Sequence, residues 1–467
     1  MKQPGKPNIV VIVADDLGYG DIGCFGNTVI RTPNIDRLAA GGVTFTQHYT
    51  ASPICAPARA SLLTGRYNHV TGALSVESNR GIDRISMRLP LIGDLFGAAG
   101  YATGMFGKWH NGLFDRQHHP NARGFSEFGG FLNGAMGYFD WFLDYNGVSK
   151  KSDGRYLTDV FTSEAVDFIA RHKADPFLLY IAYSAPHAPF EAPEATIQRY
   201  REVGGLDEGV CRIYAMIEHM DLGVGRILDQ LLELGMYENT MVLVTSDNGP
   251  LLGRHSGYNL ERYNGPFRGA KTEVLEGGIR VPAILRWPAQ LAAGSVCDSM
   301  IHFTDWLPSL LAAAGVQARR STSFDGCAFL FEQGLVAQFA DIPRFWQFNR
   351  YDPVARCNAA MRDGKWKLCW PDIPEAMKKI PGDVDWYERL KREPHFYFQI
   401  TDNPSFSRSL PSPGRAELFD LEKDPYEKTD LSVSHPDVCS KMILELDNWF
   451  WDVNQERVKL AEAVIYA

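Results

Sequence analysis

Several things are scarce in this chain of 467 residues, and each scarcity excludes something. No run of about 18 or more uninterrupted apolar residues occurs, so no membrane-spanning helix is predicted. Basic residues are outnumbered, 47 Lys and Arg against 56 Asp and Glu. The formal net charge of −9 argues against a nucleic-acid binder, which draws on a basic excess. The eight cysteines, at 24, 55, 211, 297, 327, 357, 369 and 439, are scattered and contain no CxxC pair. No disulfide framework is expected, and most of them read as small buried apolar residues. There is no repeat and no low-complexity block. Met1 to Pro7 is short and polar, so no signal peptide is expected. A native start at Met1 implies a cytoplasmic protein; removal of a leader implies a periplasmic or secreted one.

What is present is an ordinary globular composition, 45% apolar, in a chain long enough for a large α/β domain and a smaller one. Asn8–Ala14 (NIVVIVA) is apolar on both faces, as a buried parallel strand requires. Similar runs are Tyr101–Phe106, Phe177–Tyr183, Met241–Thr245 and Pro282–Leu285. Helical patterns lie between them. Thr32–Ala39 stops at Gly41-Gly42, Leu157–His172 is amphipathic, and Tyr214–Leu234 stops at Gly235. This alternation predicts a mostly parallel sheet sandwiched by helices over residues 1–334. Beyond Gly334 the segments shorten. Asn358–Trp370 reads as a hairpin turning at Asp363-Gly364, Pro394–Pro413 as a loop, and Asp437–Gln455 as a helix. A smaller antiparallel sheet plus helix is therefore expected over 335–467.

Four of the expected strands run straight into reactive polar residues. They lead to Asp15-Asp16, to Lys108 and His110, to His187, and to Asp247-Asn248. In open α/β sheets ligand sites gather beyond the carboxyl ends of the strands, so four such ends point to one pocket. Taken singly, Asp-Asp and Asp-Asn-Gly are turn residues; both at the ends of buried strands, they read as a site. Three carboxylates and an amide carbonyl are hard oxygen donors, suited to Ca²⁺ or Mg²⁺ rather than Zn²⁺. Cys55 precedes a helix that begins near Pro57 and stops at Gly65, so it falls at an N-terminus that favours an anion. Arg59, one turn along, projects toward the same end.

Cys55-Ala56-Pro57-Ala58-Arg59, followed by Leu63-Thr64-Gly65-Arg66, resembles the signature of the type I, formylglycine-dependent sulfatases. Further matches follow in the same order: Ala14-Asp15-Asp16-Leu17-Gly18, Gly107-Lys108-Trp109-His110, Ala185-Pro186-His187-Ala188-Pro189, Ser246-Asp247-Asn248-Gly249, Arg268-Gly269 with Lys271, and Glu276 to Pro282. The resemblance extends to Arg362–Leu368 and Glu417–Leu421 and so covers nearly the whole chain. It implies an alkaline phosphatase-like fold. It implies that Cys55 is oxidised to formylglycine by a maturase. It also implies a metal, usually Ca²⁺ with Mg²⁺ less expected, held by Asp15, Asp16, Asp247 and Asn248 with the residue at 55.

The chemistry expected of such a site is sulfate-monoester hydrolysis. A hydrated aldehyde offers two geminal hydroxyls, one to attack sulfur and one to let the sulfated nucleophile collapse by elimination. Arg59 favours the deprotonated nucleophile, Lys108 and Lys271 hold sulfate oxygens, His187 with Lys271 protonates the leaving oxygen, and His110 takes a proton from the second hydroxyl. The expected substrate is a carbohydrate sulfate, with an aryl sulfate next. The alternatives are a phosphodiester or phosphonate hydrolase of the same superfamily, and an unconverted sulfate-binding protein. Arg254, His255, Tyr138, Trp141, Trp346, Asn349 and Arg350 either line a substrate pocket or serve core and surface. The aromatics of 113–145 (Phe114, Phe125, Phe128, Phe131, Tyr138, Phe139, Trp141, Phe142) either stack on a ring or form core. Cys24 reads as packing.

Overall fold

Residue alternation along Asn8–Ala14 explains the layering. Val10, Ile12 and Ala14 pack into one hydrophobic cluster, and Ile9, Val11 and Val13 into another. A strand side chain points to alternate faces, so a strand that is apolar at every position must be covered on both. The computed structural model describes residues 5–113, 116–335, 342–384 and 408–465. It places Asn8–Ala14 inside a ten-stranded sheet. The order is Ser295–Cys297, Val43–Phe45, Ala283–Arg286, Thr240–Ser246, Asn8–Ala14, Phe177–Ala182, Ala102–Lys108, Glu127–Phe131, Phe142–Tyr145, Val148–Lys151. The five strands from Thr240–Ser246 to Glu127–Phe131 are mutually parallel; antiparallel pairings begin at Ala283–Arg286 on one side and Phe142–Tyr145 on the other.

Helices Leu157–Arg171 and Glu208–Glu233 bury Val160, Phe161, Ile213 and Ile217 against one face. Helices Cys55–Thr64 and Phe303–Ala313 bury Leu62, Leu63, Trp306 and Leu310 against the other. Each such side chain removed from water is worth about 1.5–3 kcal/mol, which is what holds the layers together. The helix expected from Tyr214 begins earlier, at Glu208. Its charged first turn is stabilised by pairs that periodicity does not show, Glu208 with Arg201 and Arg212, each at 2.7 Å.

A second, four-stranded antiparallel sheet has the order Arg344–Gln347, Ala359–Asp363, Trp366–Trp370, Glu417–Asp420. Helix Pro436–Ile465, longer than the sequence pattern suggested, covers one face through Met442, Leu446, Trp449 and Phe450. The other face packs Trp346, Ala360, Cys369 and Phe419 onto Tyr49, Val274 and Ile279. The hairpin expected over Asn358–Trp370 is there, with Asp363 opposite Trp366 across the turn. Of the loop expected at Pro394–Pro413, residues 394–407 lie outside the described residues; 408–413 carry neither helix nor strand. No helix among the described residues is long and apolar enough to cross a membrane.

Candidate active site

Asp15, Asp16, Lys108, His110, His187, Asp247 and Asn248 sit at the carboxyl edge of the large sheet, placed there by the strand before each; Cys55 and Arg59 come from a helix and Lys271 from a turn. Asp15 follows Asn8–Ala14 directly, and Asp16 turns the chain with φ of 65°. Asp is among the few residues that tolerate this left-handed conformation. Asp247 and Asn248 follow the neighbouring strand Thr240–Ser246. Lys108 is the last residue of its strand rather than the first beyond it. Gly107, with φ of 120°, makes that possible: a Cβ there would stand 1.9 Å from the Ala182 carbonyl oxygen. His110 takes φ of 57°, and its ring lies against Gly134, where a Cβ would meet Cε1 and Nε2 at 2.7 Å. Cys55 is the first residue of helix Cys55–Thr64.

The charges pair off closely. Lys108 Nζ lies 2.6 Å from Asp15 Oδ2. Lys271 Nζ reaches both Asp16 oxygens, at 2.7 and 2.8 Å. Arg59 donates through Nε to Asp247 Oδ2 at 2.8 Å, and its Nη2 stands 2.8 Å from the same oxygen and 3.9 Å from Asp15 Oδ1 as an ion pair. Three carboxylates thus face three cations, all buried except Lys271, which is partly buried. Burial raises the cost of ionising Asp16, but Lys271 outweighs it, with a hydrogen bond from Asn248, and that carboxyl is held below its ordinary range. Asp247 goes the other way: burial, against Arg59, and the nearby Asp15 and Asp16 push it up to about 6. Burial pushes the Cys55 thiol up to about 11 even with Lys108 and Lys271 beside it.

Two oxygens in this cluster have no hydrogen-bond donor among the described residues. Asp15 Oδ1 and Asn248 Oδ1 are fully buried and unpartnered, although Asn248 Nδ2 is satisfied by Asp16 Oδ1 and the Gly249 carbonyl, each at 2.8 Å. Buried acceptors without donors cost about 1–3 kcal/mol each, a cost that a bound cation would offset. One ligand atom each from Asp15, Asp16, Cys55 and His187 lie within 4.8 Å of one another. The donor set fits a hard divalent cation.

The two histidines are neutral. Burial and the cations around it hold His110 well below its ordinary value, and its buried Nδ1 has no partner among the described residues. Burial and Lys271 push His187 down to about 3. His187 Nδ1 donates to the Ala188 carbonyl at 2.7 Å, which leaves Nε2 as the acceptor, 3.8 Å from Asp16 Oδ2.

The Sulfatase family profile matches residues 7–316. The chain belongs to the sulfatase family. It is 35% identical to the N-acetylgalactosamine-6-sulfatase of Mus musculus over 461 residues, 92% of this chain and 82% of that protein. Arylsulfatase J of Mus musculus is 28% identical over 95% of this chain and 76% of its own length. The solved structure of Ps i-CgsB in complex with k-i-k-neocarrahexaose superposes with a TM-score of 0.79 at 30% identity, covering 97% of this chain and 94% of that one. The protein is a hydrolase of sulfate esters with the alkaline phosphatase fold.

Sequence reasoning missed part of this candidate site. Asn111 Nδ2 donates to the carbonyls of Ala56 and Asp83, both at 3.0 Å, and so ties the Cys55 helix to a distant segment. Thr50 Oγ1 donates to the Asp247 carbonyl at 2.6 Å. Phe348 packs directly on Ile54 and Cys55, with Val76 and Met377 beside them. Asn111 stands one residue past His110, but a lone Asn carries no signal; Phe348 arrives from the second sheet, which no local pattern reveals.

The weaker candidates divide. Tyr138 is buried, and its hydroxyl donates to the His187 carbonyl at 3.0 Å. Arg350 pairs with Glu77 at 2.9 Å. Trp346 donates to the Thr50 carbonyl at 2.6 Å. Trp141 and Asn349 are buried and satisfied by backbone groups, while Arg254 and His255 are exposed on a short hairpin. Phe125, Phe128, Phe131 and Tyr138 are core, Phe139 is 40% exposed, and Phe114 lies outside the described residues. Cys24 is not packing: it is exposed, with its N–H on Asp36 Oδ1 at 2.8 Å.

Proposed function

We propose that the protein removes sulfate from a sulfated saccharide, using a formylglycine made from Cys55 beside a Ca²⁺ ion held by Asp15, Asp16, Asp247 and Asn248. The observation that carries this reading is the pair of unpartnered buried oxygens, Asp15 Oδ1 and Asn248 Oδ1, in the cluster that also holds Cys55. Such a cation supplies Lewis-acid polarisation of a sulfate oxygen.

This chain's own residues supply the rest. The three carboxylates are already balanced by Arg59, Lys108 and Lys271, so a divalent cation leaves an excess of positive charge that draws in a sulfate monoanion. Lys108 and Lys271 lie close enough to turn from their carboxylates toward sulfate oxygens. Neutral His110 is the base for the hydroxyl at position 55. His187 presents Nε2 toward the leaving oxygen, and an arriving anion offsets the cations that keep it unprotonated. A maturase acting on the Cys55 segment is the implied partner.

The saccharide preference rests on the relatives' substrates: N-acetylgalactosamine-6-sulfatase acts on a sulfated sugar, and Ps i-CgsB was solved with a neocarrahexaose. The test has two parts. Mass spectrometry of the peptide containing residue 55 should show thiol sulfur replaced by an aldehyde. Sulfate release from sulfated saccharides, aryl sulfates and matching phosphate and phosphonate esters should favour the saccharides. Faster turnover of phosphorus esters would support the phosphohydrolase alternative, and an intact thiol with no turnover would support the sulfate-binding one.

A further inference from the structure

We propose that a cavity beside the metal-site loop holds an unsulfated sugar residue of a longer saccharide whose sulfated residue is at Cys55. This rests on the saccharide reading above. The cavity has a volume of about 400 Å³ and is lined by Asn27, Asp207, Tyr214, Glu261, Arg262 and Tyr263 among others. That is within the range of small-molecule sites.

Topology puts it on the same face as Cys55. Residues 26–29 follow the carboxyl end of strand Asn8–Ala14, and 261–263 follow the carboxyl end of Thr240–Ser246. Helix Glu208–Glu233 returns the chain to the start of Thr240–Ser246, so Asp207, at its other end, stands at the carboxyl edge too. A lining residue, Arg262, ties the cavity to the segment that carries Asp16. Asp21 accepts the Gly18 N–H at 2.8 Å and is forked by Arg262 Nε and Nη2, both at 2.8 Å.

The lining chooses the ligand. Arg262 is spent on Asp21 and on the Leu251 and Leu260 carbonyls, so it offers the cavity no free cation. Asp207 takes one bond, from Asn259 Nδ2 at 2.6 Å, and neither Asp207 nor Glu261 has an ion pair among those described. A cavity with two uncompensated carboxylates repels a sulfate or uronate and accepts hydroxyl donors. Among the described residues these two carboxylates belong to no cluster able to hold a metal. Tyr214 is 3% exposed; its hydroxyl accepts from Asn27 Nδ2 at 3.1 Å, which leaves its own proton to give to a ligand oxygen. Tyr263, 46% exposed, offers an apolar ring face. Carboxylate acceptors, a hydroxyl donor and an open aromatic face together match a neutral sugar.

The test uses Tyr263→Ala and Glu261→Gln, both at exposed positions outside the proposed machinery. For a sulfated hexasaccharide, KM should rise about fivefold or more with kcat nearly unchanged, while a sulfated monosaccharide and an aryl sulfate keep their KM. Neutral unsulfated hexasaccharides of galactose, glucose and mannose should show at least one saturable binder by NMR titration of the native protein, weakened in Tyr263→Ala. No binding by any of them, or an equal KM change on long and short substrates, would overturn the proposal. Absence of turnover on every sulfated saccharide would count against the substrate class instead, and the binding titration, which needs no turnover, would then decide the cavity alone.

Discussion

Asn111 holds Ala56 in place: its side-chain nitrogen donates to the Ala56 carbonyl at 3.0 Å while donating equally to Asp83. The residue after Cys55 is therefore fixed by a group from the loop that also carries His110. Asn111→Leu should lower kcat by about 10- to 100-fold, because small misplacements of a reacting group are costly. The fold should survive, and circular dichroism with steady-state kinetics on an aryl sulfate checks both. Unchanged kcat would show that the Cys55 helix holds its place without this amide.

Cys55→Ala should abolish sulfate release while leaving the melting temperature within a few degrees of the native value, since it trims one buried sulfur without exposing a polar group. Residual turnover above about a thousandth of the native rate would remove Cys55 from the chemistry.

Asn248→Ala deletes an amide oxygen that no group among the described residues satisfies. The expected result is loss of bound calcium, read by atomic emission, and activity restored by added Ca²⁺ only at much higher concentration. Exhaustive chelation of the native protein should likewise stop turnover. A chelated enzyme at full rate contradicts the metal role.

Two histidines outside the cation cluster should set part of the acid stability. His48 accepts the Trp306 Nε1–H at 2.8 Å and is pushed down to about 3 by burial, against its bond to Val281. His69 bonds Gln347 at 2.8 Å and is pushed down to about 4 by burial. Both are neutral in the folded protein and charge readily once unfolded. The stability they confer is complete above about pH 6.5 and is lost as pH falls toward 4 and then 3, by about 1.4 kcal/mol per pH unit per site. Urea unfolding between pH 7 and 5 should show this slope, and His69→Gln should flatten it. Identical slopes would refute the assignment.

Lys367 sits between Glu276 at 2.9 Å and Glu427 at 2.8 Å, all fully buried where the second sheet meets the first. Lys367→Met leaves two buried carboxylates facing each other and should cost about 3–5 kcal/mol. Adding Glu276→Gln and Glu427→Gln should recover part of it. A melting temperature unaffected by the single change would show that water reaches this triad.

The strand ends were legible because buried parallel strands are written as uninterrupted apolar runs, and whatever polar residue follows must surface at the same edge. That logic located Asp15, Asp16, Lys108, Asp247 and Asn248 without coordinates. Helix starts were less legible: Glu208 begins its helix inside a charged stretch whose ion pairs are tertiary. The second sheet's reach to Cys55 through Phe348 was not legible at all, since an isolated Phe looks the same wherever it packs. Neither was the Asn111 tether, which depends on two carbonyls separated by more than twenty residues meeting in space.

The contact of Phe348 with Cys55 also has a bearing on timing. The thiol is 2% exposed, lodged in a helix turn and roofed by a side chain from the far end of the sequence. Any other protein that must handle this sulfur needs the segment while it is still an extended, unshielded strand of chain. If Cys55 is processed as proposed, that step must precede final closure, because the folded chain would hold its own nucleophile precursor out of reach.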